Sequence, residues 1–234
     1  MKLFIVNKRK IYNSIIIILI ALIIIGGYLY FSKTREVFNE QIYYKGSREE
    51  KIVAFTCNID WGNEYIDDML KIFADKDIKI TFFPTGRWSE NNREVLSKIH
   101  EEGHEIGNHG YKHLDYDKLD YKANFEQINT AHTIIEEIIQ DSPKYFAPPS
   151  GGFNEYTIQA AEDLGYQTIL WSVDTIDWRD DSHRDLIVKR VVENIHNSAI
   201  VLMHPTAETN KALPIIIKTL YENGYRIGTI SDVI

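Results

Sequence analysis

The sequence predicts an α/β domain with a mainly parallel sheet. Two observations carry this. Short β-branched and aromatic runs alternate with amphipathic helical stretches from residue 52 to the end of the chain. Five polar segments, TCNID, GNHGYKH, APPSGG, DTIDW and LMHPT, each follow the C-terminal end of a strand-like run. About seven strands with helices between them suit a barrel better than a small open sheet, and in such folds that rim is where sites are built.

The elements follow in order. IVAFTCNI (52–59) reads as a strand, and YIDDMLKIFADK (65–76) as a helix with Ile66, Met69, Leu70 and Phe73 at helical spacing. KITFFPT (79–85) is a strand, and REVLSKIHEEG (93–103) a helix stopped by Gly103. HEIGN is a very short strand. Residues 119–140 form a long helix with Ile128, Ala131, Ile134, Ile135 and Ile138 as its stripe. KYFAPP, a helix near 154–164, the strand YQTILWSV, a helix near 184–197, the strand AIVLMH, a helix near 210–223 and the strand YRIGTI complete the pattern.

The N-terminus is different. Lys8, Arg9 and Lys10 precede an almost uncharged apolar run over residues 11–31, long enough for a bilayer-spanning helix. A cleaved signal peptide is the rival reading, but its apolar region is shorter and ends in small residues, whereas bulky residues follow Gly26 and Gly27 here. The expected organisation is a basic cytoplasmic tail (1–10), a transmembrane signal anchor (11–31), a linker (32–50) and a catalytic domain (51–234). The domain would lie outside the cytoplasm on a single-pass anchor, because flanking cations stay inside. Residues 1–34 carry five cations and no acid, so taking +5 from the net −8 leaves −13 on residues 35–234. A domain this acidic excludes nucleic acid as a partner. Cys57 is the only cysteine, so no internal disulfide forms, and a monomer held by its core is expected.

His109 and His113 flank three residues in a Gly- and Asn-rich turn. One helical turn would bring both rings to one face, and a carboxylate could join them in a zinc site. In a strand, Asn58 and Asp60 point to one side, so Asp60 can reach the rim. His104 reads as structural. His100, His132, His183 and His196 have no ligand-like surroundings.

GHEIGNHGYKH, WSVDTIDW, ITFFPTG and IVLMHPT together resemble the motifs of the polysaccharide deacetylases, the NodB-homology domain of carbohydrate esterase family 4. The resemblance covers about residues 50–234. It implies a distorted β/α barrel and removal of N-acetyl, sometimes O-acetyl, groups from peptidoglycan or chitin-like sugars. It also implies one divalent metal held by Asp60, His109 and His113, with zinc expected and cobalt, nickel or manganese as alternatives. By the same resemblance His204 is the acid that protonates the leaving amine, Asp174 and Asp177 orient it, and the Ser150 backbone helps bind the oxyanion. Trp61, Trp88 and Trp178 are expected as sugar-stacking walls, and Trp171 as core.

Two positions depart from the family. Asn58 stands where a base aspartate is usual, and Ala147 where an arginine usually pairs with it. Anion and cation are missing together, which is electrostatically coherent, since a buried arginine without its partner is costly. The remaining bases are Asp60, or Glu64 or Asp177 through a water, or a metal-bound hydroxide acting with little help. NIDWGNE resembles the membrane-anchored, sporulation-type relatives from low-GC bacteria. A catalytically silent protein that binds wall glycan on the same barrel is the alternative function.

Overall fold

The computed structural model of the chain describes residues 12–13, 15–28 and 42–234. The chain divides into two units, Met1–Gln41 and Ile42–Ile234. In the first, the described residues are helical (α1), with Ile15–Ile20 and Leu22–Ile25 exposed. Among the described residues no helix is long and apolar enough to cross a membrane. The expected spanning helix over 11–31 is therefore not found as such. The described helical residues lie at 12–13 and 15–28. Residues 11, 14 and 29–31 lie outside the described residues.

The second unit is a barrel-like α/β fold whose ladders are all parallel. In chain order its elements are β1 (Ile42–Tyr43), β2 (Ile52–Ile59), α2 (Asn63–Ala74), β3 (Thr81–Pro84), α3 (Gly86–Asn91), α4 (Arg93–Glu101) and β4 (Glu105–Ile106). There follow α5 (Tyr121–Ile139), β5 (Tyr145–Phe146), α6 (Glu155–Asp163), β6 (Gln167–Ile169), β7 (Val173–Asp174), α7 (Arg184–Asn194), β8 (Ile200–Met203), α8 (Ala207–Glu222), β9 (Arg226–Gly228) and α9 (Ile230–Val233). A six-stranded sheet runs β4-β3-β2-β8-β7 with β9 also on β2, and a three-stranded sheet runs β1-β6-β5. An Asn108–Phe146 bridge links the two sheets.

β2 is the axis of the fold. All eight of its residues are buried, as expected for a parallel strand covered on both faces. Ala54 pairs with both Ile200 and Gly228, so β8 and β9 lie on opposite edges. β9 takes the first half of its edge, and β3 takes the second through Thr56–Ile59. Alternation sends Val53, Phe55, Cys57 and Ile59 into the core beneath the helices, while Ile52 and Ala54 join an interior cluster with Phe83, Tyr145, Ala147 and Ile169.

The structure differs from the sequence pattern in three places. The run expected as one strand, YQTILWSV, breaks at Leu170–Ser172 into β6 and β7, which belong to different sheets. Residues 42–43, expected in the linker, form β1 on the edge of β6, since an edge strand needs only one neighbour. The helix α3 lies within a stretch too short to show periodicity, and it is started by Thr85, whose side chain accepts from Trp88 N–H.

Candidate active site

A cavity of about 430 Å³ opens at the C-terminal ends of the strands, lined by Asn58, Asp60, Trp61, His109, His113, Ser150, Trp171, Asp174, Trp178, Leu202 and His204. Every sequence-selected site residue lines it except Asp177, Trp88 and the alternative base Glu64. Trp88 is 4% exposed, and its indole donates to Asn63 below a neighbouring groove. Trp171, expected in the core, is half-buried on the cavity wall, and its indole N–H donates to Asp174 Oδ2 at 3.1 Å. Trp61 and Trp178 are the exposed walls.

His204 follows β8. Its Nδ1 lies 2.7 Å from Asp177 Oδ1, and its backbone N–H donates to Asp177 Oδ2 at 2.7 Å. Thr209 Oγ1 donates to the same Oδ2 at 2.6 Å. A fully buried carboxylate with these donors fixes the proton on Nδ1 and leaves Nε2 for chemistry. The indole of Trp61 lies parallel to the imidazole, 7° between planes and 6.0 Å between centroids. Asp174, expected to share in orienting His204, bonds instead to Trp171 and to Ile176 N–H at 2.7 Å. Burial pushes its carboxyl pKa up. The turn between the two aspartates holds Ile176 at φ 50°, a strained angle for a β-branched residue. Arg190 of α7 stabilises that turn by donating to Thr175 O and Ser182 Oγ, both at 2.8 Å. No sequence signal marked Arg190 or Thr209.

His109 is buried, and its Nδ1 donates to Ala147 O at 2.6 Å. Burial first, and the nearby His113 second, lower its pKa to about 3, so the ring is neutral with Nε2 unprotonated. The His113 ring centroid is 5.4 Å away. Gly110 between them has φ 71°, and a Cβ there would fall 1.7 Å from the Tyr116 hydroxyl, so only glycine fits. His104 is structural: its Nδ1 accepts from Ile80 N–H at 3.1 Å.

The two histidines suit a divalent metal, being neutral or accessible rings with one tautomer fixed by a second partner. Asp60 does not complete the set. Its carboxylate accepts from Thr85 Oγ1 at 2.8 Å and from Arg87 Nη2 at 3.0 and 3.2 Å. Among the described residues no group of three His, Cys, Asp or Glu is gathered closely enough to hold an ion. Asn58 is 4% exposed, and its Oδ1 meets no hydrogen-bond donor among the described residues. Ser150 sits in a turn at φ 55°.

A parallel α/β barrel with a carboxylate-anchored histidine and a histidine pair on its rim defines a hydrolase-type scaffold. Residues 45–169 match the polysaccharide deacetylase family, and the chain belongs to that family. The chain is 42% identical to the uncharacterised Bacillus subtilis protein YlxY, over 81% of its own length and 59% of YlxY, so it spans less than two thirds of that relative. It is 31% identical to a Bacillus cereus peptidoglycan-N-acetylglucosamine deacetylase, covering 79% of this chain and 89% of the relative. Among solved structures it is similar to BA3943 of Bacillus anthracis, a family 4 pseudoenzyme, at 38% identity and a TM-score of 0.80, over 82% of this chain and 68% of that one.

Proposed function

We propose that the cavity binds an acetylated glycan of peptidoglycan or chitin type and that the chain hydrolyses its N-acetyl, or O-acetyl, groups. The observation that carries this is the His204–Asp177–Thr209 relay, which turns an imidazole Nε2 into a tryptophan-walled cavity. Trp61, Trp171 and Trp178 offer ring faces to a sugar, whose C–H faces stack on aromatics. His204 keeps its Nδ1 proton on Asp177, and its Nε2 delivers a proton to the leaving nitrogen while the carboxylate stabilises the imidazolium.

Proton acceptance falls to Asp174. Asn58 carries no ionisable group, Asp60 is paired with Arg87, Asp177 is committed to His204 and Thr209, and Glu64 lines only the neighbouring groove. Asp174 faces the cavity, and burial raises its basicity. The Ser150 backbone N–H is the donor offered toward a developing oxyanion, since Gly151 and Gly152 N–H already donate to Pro148 O and Pro149 O. A divalent metal, zinc first, at His109 and His113 would supply carbonyl polarisation and a more acidic water.

The test is acetate release by the purified chain from peptidoglycan and chito-oligosaccharides, with and without added zinc. Release that is lost in His204→Ala supports the proposal, and no release from any acetylated glycan overturns it. A second reading, glycan binding without turnover, is favoured by Asn58, whose amide lies on the cavity wall with no partner for its oxygen among the described residues. Retention of the chain on peptidoglycan without acetate release would select it.

We also propose that residues 11–31 attach the protein to the cell membrane as a single-pass anchor, with the barrel outside the cytoplasm and close to its glycan, as in the sporulation-type branch. The long, uncharged and mostly apolar run behind Lys8, Arg9 and Lys10 supports this. Protease added to intact protoplasts should digest the barrel, and protection until lysis would reverse the orientation.

A further inference from the structure

Among the described residues, Asn58 is the one lining the cavity whose side chain has a buried polar atom without a hydrogen-bond partner. It is 4% exposed and stands near the end of β2, where it pairs with Phe83 of β3. Its chain neighbours Cys57 and Ile59 turn into the core beneath the helices. Alternation therefore sends the Asn58 side chain to the opposite side, where it shares the cavity wall with Ser150, Leu202 and His204. Its oxygen is enclosed and meets no donor, so the polar group it presents to the cavity is its NH2. The carboxylates of the same wall accept elsewhere, Asp60 from Thr85 and Arg87, and Asp174 from Trp171 and Ile176 N–H. A buried amide in this state destabilises the fold and calls for a reason.

We propose that the Asn58 NH2 donates to the carbonyl oxygen of the ligand's acetyl group, so that the cavity recognises the acetyl through a donor of its own and needs no metal to do so. This extends the reading of the cavity as an acetylated-glycan site, on which it rests. An acetyl carbonyl oxygen only accepts, so it matches an N–H donor. The Ser150 backbone N–H stands on the same wall, and the carbonyl can meet both donors. An amide and an ester both present this carbonyl, whereas a bare hydroxyl does not. Away from bulk water such a bond is stronger than in solvent. Asn58 thus binds at a position where it can transfer no proton, because a primary amide does not ionise in the range of the other cavity groups.

The test is binding to the full chain in EDTA, read by the fluorescence of the cavity tryptophans and independent of turnover. Three trisaccharides are titrated: the N-acetylated glucosamine trimer, its analogue with a 2-O-acetyl group on each sugar, and cellotriose, which has hydroxyls there. Wild type, Asn58→Leu and Asn58→Ala are compared, with melting temperatures to confirm folding. The wild type should bind both acetylated ligands about tenfold more tightly than cellotriose. Both variants should lose that margin and keep their affinity for cellotriose. Equal wild-type affinity for all three ligands overturns the proposal. A margin that survives in the variants overturns it as well, because another group then holds the acetyl. A wild-type preference for the N-acetyl over the O-acetyl ligand also overturns it, since the amide N–H and not the carbonyl would be read. In each of these cases the glycan reading stands, because the chain still binds the sugars. No binding of any of the three to the wild type removes the glycan reading, and the acetyl contact with it.

Discussion

The Asp177 carboxylate holds His204 twice, accepting from Nδ1 with one oxygen and from the residue's own backbone N–H with the other, both at 2.7 Å. One buried side chain thus sets both the ring tautomer and the path of the chain that carries the ring. Asp177→Ala should lower stability by about 3 kcal/mol, because several donors lose a buried anion together. It should also abolish acetate release. Thr209→Val removes only one donor and should cost about 1 kcal/mol. Urea unfolding of both variants checks the ranking.

Asp174→Asn should stop acetate release without a comparable loss of stability, since the amide oxygen still accepts from Ile176 N–H. In the wild type the rate should rise with pH through a carboxyl pKa above the ordinary range, the direction that burial gives Asp174. A rate in Asp174→Asn equal to the wild type would remove it as proton acceptor.

Stability should fall in mild acid. Burial, followed by the charge of Lys79, lowers the His104 pKa to about 4. An unfolded histidine titrates near 6.5, so below about pH 6.5 the unfolded chain binds a proton that the folded chain refuses. The His104 contribution is complete above that pH and is lost toward pH 4, at about 1.4 kcal/mol per pH unit. His109 acts with the same sign. His104→Gln should flatten the curve in urea unfolding at pH 7, 5 and 4, and an unchanged slope would refute the assignment.

Gly110→Ala should destabilise by about 2 kcal/mol, through its left-handed backbone and its contact with Tyr116. It should also weaken zinc binding, since the displaced segment carries both histidines. Thermal melting and zinc titration read the two effects separately.

Asn58→Asp and Ala147→Arg should be strongly non-additive. Ile52 and Ala54 point into the interior cluster that holds Ala147, and β-alternation puts Asn58 in the same inward row. Asn58→Asp alone buries a carboxylate with no cation, and Ala147→Arg alone buries a cation with no anion, each costing about 3 kcal/mol. The double variant pairs them and should deacetylate a chito-oligosaccharide faster than either single variant. Additive kcat/KM values would show that positions 58 and 147 do not face each other.

The sequence by itself determined the alternation of strands and helices, the rim position of the polar segments and the family, because periodicity and motif residues are local properties of the chain. It located Asn58, His109, His113 and His204, which now share one cavity. It could not separate Asp174 from Asp177, since three residues of spacing leave either carboxylate free to turn inward. The strained φ of Ile176 and the Arg190 contact with that turn decide it. Nor could it show that Arg87, between the strand 79–85 and the helix 93–103, would take Asp60. The break of YQTILWSV was equally hidden, because the run is apolar on both sides of the bend. Pairing partners far apart in the chain place its two halves in different sheets and turn Trp171 from core to cavity wall. Local pattern specifies which residues are available to a site. Long-range packing specifies which of them meet, because charge pairing and strand partners are set by distances that no sequence spacing encodes.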